Sequence, residues 1–221
     1  MKWFSFILCF LLLTSCIDIF DDLTIHADGS GTLKYNINLS SSKVRINSIL
    51  ALDSIDGKKV PSLDEVKVKV QQFIKIMDSQ PGISNVKIEE NYTDFILKFQ
   101  CDFNSVNQLQ EAIKNTVNYI TKEKHQQLET NWLTWDGTKL TRSIPDFTMS
   151  KMKEVKESDI EKLKTSVYTS VTRFDKTIEK CDNPNAQLNK TRQAVMLKTD
   201  CNSLRLKPTL LENVIYVSGK N

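Results

Sequence analysis

Five cysteines, two histidines and three tryptophans hold much of the reactive chemistry of this chain, and their spacing decides what they can do. Tetrahedral metal sites take ligands in close pairs, so that one short turn presents both to the ion. Here Cys9, Cys16, Cys101, Cys181 and Cys201 stand far apart, and neither His26 nor His125 has a Cys, a second His or paired acids at ligand spacing. Asp21-Asp22 and Glu89-Glu90 are adjacent acids in strand-like segments, where neighbours point to opposite faces and share no proton. No nucleophile elbow, zinc-protease helix, phosphate loop or dinucleotide fingerprint occurs. The expectation is therefore a protein with no catalytic residue, no metal and no cofactor. The competing reading is an envelope hydrolase whose carboxylate or serine site is dispersed through the sequence.

Cys16 stands in a different context from the other thiols. Lys2 is followed by an apolar run over residues 3–13, interrupted only by Ser5, and then by Leu13-Thr14-Ser15-Cys16. The run is too short to span a bilayer and has the pattern of a signal peptide. Its end resembles the lipobox of bacterial lipoproteins. That resemblance implies removal of residues 1–15 and acylation of Cys16 at sulfur and amine, with the protein anchored in the bacterial envelope, at the outer membrane. Two or three acyl chains hold far better than one, since each buried methylene adds about 0.8 kcal/mol. Residues 16–22 then read as a short acidic tether, similar to those that direct Bacteroidota lipoproteins to the cell surface. The alternative is a first strand that simply begins early.

With 40% apolar and 26% charged residues, the composition is that of a globular protein and excludes a disordered or fibrous one. The net charge of +3 is spread as mixed signs along the chain, which points to a solvated surface and no nucleic-acid partner. Arginine, the residue suited to clamping phosphates and carboxylates, is scarce: Arg45, Arg142, Arg173, Arg192 and Arg205 are all there is. Of the downstream thiols, Cys101 shares the apolar parity of Phe95, Leu97, Phe99 and Phe103, which places it on the buried face of a strand. Cys181 and Cys201 lie almost symmetrically about a polar turn at Asn189-Lys190-Thr191 and form a candidate disulfide in an oxidising compartment. The alternative is that all three are small buried residues.

Alternation and turn chemistry mark three hairpins. The first turns at Asp28-Gly29-Ser30-Gly31, the second at Asn91-Tyr92-Thr93-Asp94 and the third at Asp136-Gly137. Between them run amphipathic helices: a short one opened by Ser40-Ser41-Ser42, one opened by the capping box Ser62 and Glu65, and one beginning near Ser105 with Gln108 as its partner. Strands resume over 168–174, 194–198 and 213–217, with a further helix restart at Ser158 and Glu161. The fold predicted is α+β, an antiparallel sheet built from hairpins with amphipathic helices packed on one face. Residues 23–221 form one domain, with 143–157 as a hinge candidate.

Trp132 and Trp135 are the candidate recognition surface. In a two-residue hairpin Trp135 shares a face with Leu133 and Leu140 while Trp132 looks the other way, so one joins the core and the other can stack on a sugar or touch lipid. The alternative is that both are core. The first hairpin just downstream of Cys16 resembles envelope lipoproteins of the Bacteroidota and, more distantly, the LppM-type lipoprotein domain. The run from Phe174 through Asn183-Pro184-Asn185-Ala186 to Pro208 adds to that likeness. It implies binding of lipids or glycolipids and carries over no binding residue. The expected function is a membrane-anchored, non-enzymatic binding or structural module for a lipid, glycan or protein partner.

Overall fold

The computed structural model describes residues 17–55, 57–121, 131–144, 160 and 163–219. Residues 1–15, Cys16, His125, the helix start at Ser158 and Glu161, and the 143–157 stretch beyond Ile144 lie outside the described residues.

Period-two alternation in the N-terminal part folds as predicted. β1 (Asp18–Ile25) and β2 (Gly31–Asn38) form an antiparallel hairpin with Asp18 opposite Asn38 and Ile25 opposite Gly31. Gly29 takes φ +88°, and Asp28 Oδ1 accepts from the Ser30 amide at 2.9 Å to close the turn. A short helix α1 (Lys43–Leu50), a small ribbon of β3 (Ser54–Ile55) and β4 (Lys58–Lys59), and helix α2 (Leu63–Asp78) follow. The Ser62 hydroxyl accepts from the Glu65 amide while the Glu65 carboxylate accepts from the Ser62 amide, the reciprocal box that starts α2. The second hairpin is β5 (Ile83–Asn91) and β6 (Ile96–Phe103), and α3 (Val106–Thr121) follows it. The third is β7 (Leu133–Trp135) and β8 (Lys139–Arg142), with Asp136 Oδ1 accepting from the Thr138 and Lys139 amides. The C-terminal part holds β9 (Val167–Phe174), β10 (Ile178–Cys181), β11 (Gln187–Leu188) and β12 (Ala194–Asp200). Helix α4 (Cys201–Leu206), a 3-10 turn (Pro208–Leu211) and β13 (Asn213–Val217) complete it.

The strands form a seven-stranded sheet in the order β11-β12-β9-β1-β2-β6-β5 and a four-stranded sheet in the order β10-β13-β8-β7. The architecture is α+β, as predicted. Every pairing in the large sheet is antiparallel except one: β1 runs parallel to β9, with Asp18 opposite Val167 and Ile25 opposite Phe174. One face of the large sheet carries Leu23, Ile25, Cys101, Phe103, Phe174 and Val195 into the main core. Helices α2 and α3 and the small sheet pack on that same face, contributing Met77, Leu109, Leu133, Leu140, Ile178 and Ile215. Polar and charged positions of the strands, such as Lys34, Lys98 and Arg173, take the other parity.

Two expectations need correcting. Residues 18–22 are not a tether: β1 starts at Asp18, because Ile17 is already held by Ser166, whose Oγ accepts from its amide at 2.9 Å. Cys181 and Cys201 do not form a disulfide; both are free thiols, as is Cys101. The turn at 189–191 does join two antiparallel strands, but the ladder extends only from Leu188 opposite Val195 to Gln187 opposite Met196. Beyond it Asn183 ties the chain to β13 of the small sheet, its backbone amide donating to Asn213 Oδ1 at 3.1 Å, while its side chain donates to the Leu210 and Glu212 carbonyls just before β13. Cys181 therefore pairs opposite Ile215 on β13 while Cys201 opens α4 at the end of β12.

Candidate functional site

The inward parity of β1 reads Ile19, Asp21, Leu23, Ile25, so a carboxylate sits where an aliphatic side chain belongs. The Asp21 side chain is 4% exposed. Its neighbours across the sheet are Tyr35 on β2 and Ser170 on β9. From the small sheet, Arg142 at the end of β8 reaches it in a two-pronged contact, Nη1 to Oδ1 at 3.0 Å and Nη2 to Oδ2 at 2.8 Å. Ser170 Oγ donates to Oδ1 at 2.9 Å, the Tyr168 phenol donates to Oδ2 at 2.5 Å, and Arg142 Nη1 also donates to Ser170 Oγ at 2.7 Å. The carboxylate thus accepts four hydrogen bonds, the full complement of its lone pairs.

Burial disfavours the charge on Arg142, but the Asp21 carboxylate and its hydrogen bonds outweigh that and raise the guanidinium above its ordinary value. Burial, reinforced by the negative charge of Asp21, pushes Tyr35 up to about 12. The same two causes push Tyr168 well above the usual phenol range. Both shifts favour the neutral phenol, and that of Tyr168 donates to Asp21.

Against this cluster lies a cavity of about 260 Å³. Leu23 and Leu33 of the large sheet form one wall, Leu109 and Ile113 of α3 another, and Trp132 and Leu133 a third. Leu204 of α4 and Leu211 of the following turn complete the apolar lining of this half-open cleft, while Asp21, Tyr35, Tyr168 and Arg142 supply its polar side. An apolar chamber with a few convergent polar groups is the usual form of a small-molecule site.

Gln110 of α3 holds one wall in place. Its side chain is fully buried, accepting from the Trp132 and Leu133 amides at 2.8 and 2.9 Å and donating to the Leu133 carbonyl at 2.6 Å. It thereby imitates a neighbouring strand along the edge of β7 and ties α3 to the small sheet.

The structure separates the two tryptophans. Trp135 stacks on Phe174 with ring centroids 5.7 Å apart and packs against the core, remaining half-buried beside the first hairpin turn. Trp132 lines the cavity, with Lys114 Nζ 5.9 Å from its ring centroid. His26 lies on the surface, its Nδ1 2.9 Å from Asp175 Oδ2. Among the described residues no group of His, Cys, Asp and Glu has the arrangement of a metal site, and no helix is long and apolar enough to cross a membrane. Sequence reasoning missed Asp21, Tyr35, Arg142, Tyr168 and Ser170 as a unit. The signal was present in part: Asp21 and Arg142 are charges on the apolar parity of their strands.

No protein-family model matches the chain, and no curated protein sequence matches it. Among solved structures the chain is similar to the folded domain of the Mycobacterium tuberculosis LppM protein, with a TM-score of 0.44 and 8% sequence identity over 94% of each chain.

Proposed function

We propose that this protein is a lipid-anchored module of the bacterial envelope that binds one slim apolar ligand between its two sheets and catalyses no reaction. The observation that carries the reading is the cavity of about 260 Å³, walled by aliphatic and indole surface and based on a neutralised ion pair. An engineered apolar cavity of about 150 Å³ takes up benzene, and drug-sized sites begin near 300 Å³. The chamber accordingly suits a segment of one acyl chain or a group of similar girth, with a complete glycolipid extending beyond it. Hydrolysis would need a carboxylate or serine with a free valence toward substrate. Asp21 and Ser170 spend theirs on Arg142, Tyr168 and each other, which supports binding over catalysis.

The ligand is testable on the full chain purified from membranes in mild detergent. Native mass spectrometry should find about one apolar molecule per protein, released on denaturation. Ile113→Trp, which adds bulk at the cavity wall, should abolish that adduct while leaving the circular dichroism spectrum unchanged. An adduct that survives the substitution, or a wild-type protein with none, overturns the reading.

The anchor is the inferred role of Cys16. The N-terminal peptide of the mature protein should begin at Cys16 and carry a diacylglyceryl thioether and an amide-linked acyl chain. Cys16→Ser should abolish both and yield a soluble form or an uncleaved one of higher polypeptide mass. Unchanged membrane partition together with unchanged mass in that variant overturns the anchor.

A further inference from the structure

We propose that one end of the large sheet is a bilayer-docking surface, so that the domain stands on the membrane and does not swing from it. The proposal rests on the anchor at Cys16 and goes beyond it.

The described chain starts at Ile17, and Ile17 has no slack. Its amide donates to Ser166 Oγ at 2.9 Å and its carbonyl accepts from the Val167 amide at 2.9 Å, continuing the ladder between β1 and β9. Successive Cα atoms lie about 3.8 Å apart, so acyl chains on Cys16 leave the molecule one residue from a rigid central strand. The end of the sheet where β1 begins must then lie against the bilayer.

The topology collects distinctive segments at that end. β2 finishes beside Asp18 and leads directly into α1, and Lys43 of α1 is ion-paired at 2.9 Å with Asp94 in the turn before β6. β12 also finishes there, with Asp200 opposite Val167 and α4 starting at the next residue. Among the described residues five large apolar side chains are more than half exposed: Val44, Leu52, Val68, Tyr119 and Leu206. Val44, Leu52 and Leu206 belong to α1, to the residues just after it, and to α4. Val68 stands in the second turn of α2, next to Lys67, which lies over the Tyr92 ring at the same end.

Charge agrees with this placement. From residue 40 to 52 the chain has Lys43 and Arg45 and no acid, and from 201 to 211 it has Arg205 and Lys207 and no acid. Of the acids nearby, Asp94 is paired with Lys43, and Asp200 accepts from the Ser203 amide at 2.7 Å as the cap of α4. Asp18, Asp53 and Asp64 remain exposed, the last paired with Lys67. Exposed aliphatic side chains interleaved with cations are what an anionic bilayer surface attracts, the former entering the headgroup layer and the latter adding long-range attraction.

The test reads added tryptophans against the native ones. Trp135 belongs to the opposite end, where its ring would lie 3.2 Å from a Cβ placed on Gly29 in the first hairpin turn. Full-length wild type, V44W and L206W are purified with their lipid and reconstituted into vesicles of equimolar phosphatidylcholine and phosphatidylglycerol, with and without bromine on the acyl chains. The emission added by V44W and by L206W should fall about twofold on brominated lipid, the depth expected of side chains entering the headgroup boundary. Any fall in wild-type emission reports Trp132, where a brominated chain enters the cavity, and is subtracted before the added signals are read. Proteins that co-sediment with vesicles while both added signals stay unquenched overturn the docking surface and leave the anchor standing. Proteins that lack the acyl mass and fail to co-sediment overturn the anchor and the docking with it.

Discussion

Arg142→Met should lower the stability of the domain by about 3–5 kcal/mol, because it strands the Asp21 carboxylate as an uncompensated buried charge. Methionine replaces most of the volume, so the loss measures electrostatics more than packing. The reciprocal test separates the two. A D21L/R142M double variant should recover most of the loss, since an apolar pair of similar volume replaces a buried ion pair with little penalty. Recovery should stop short of complete, because the Tyr168 and Ser170 hydroxyls then lose their acceptor. Urea unfolding of the three proteins checks this. A single-variant loss below about 1 kcal/mol would show that water reaches the pair, as it does in a surface salt bridge.

The second large effect is expected at Gln110. Gln110→Leu is close in volume, yet it leaves the Trp132 and Leu133 amides and the Leu133 carbonyl without the partner that α3 provides. Each orphaned buried group costs about 1 kcal/mol or more, so a total near 3 kcal/mol follows. The damage should also be local. Amide exchange at Trp132 and Leu133 should accelerate well before that of the central strands, since β7 lies at the edge of its sheet. Uniform acceleration across the molecule would mean that Gln110 supports the core as a whole and not this edge.

Much of the local structure was legible because its causes are local. Asp28 with Gly29, Asp136 with Gly137, and Ser62 with Glu65 determine turns and a helix start within a few residues, and each appears where it was expected. What was hidden depends on partners far along the chain. Nothing near residues 18–25 announces a parallel partner at 167–174, so Asp21 read as part of an acidic tether instead of as the centre of a buried cluster. The Cys181 and Cys201 expectation failed for a related reason. Symmetry about a turn implies proximity only if both arms stay in one sheet, and Asn183 diverts one arm to the other. The cavity was the least legible feature, since its lining comes from both sheets, α3 and α4. Even so, a lone acid among Ile19, Leu23 and Ile25 is a mark that parity alone makes visible.

The position of β1 has a consequence for the order in which the molecule assembles. The first strand to be synthesised is the middle strand of the large sheet. One flank can follow early, because β2 is joined to β1 by a tight turn and β5 and β6 are complete by Phe103. The other flank waits for β9, whose Ser170 lies 149 positions along the chain from its partner Asp21. Until that partner arrives, β1 offers an unpaired edge and a row of aliphatic side chains to any neighbouring chain. Closing so long a loop late makes folding slow compared with a protein of local contacts. The large sheet therefore cannot be completed until residues 167–174 pair with β1, and its completion is timed by the arrival of one distant strand.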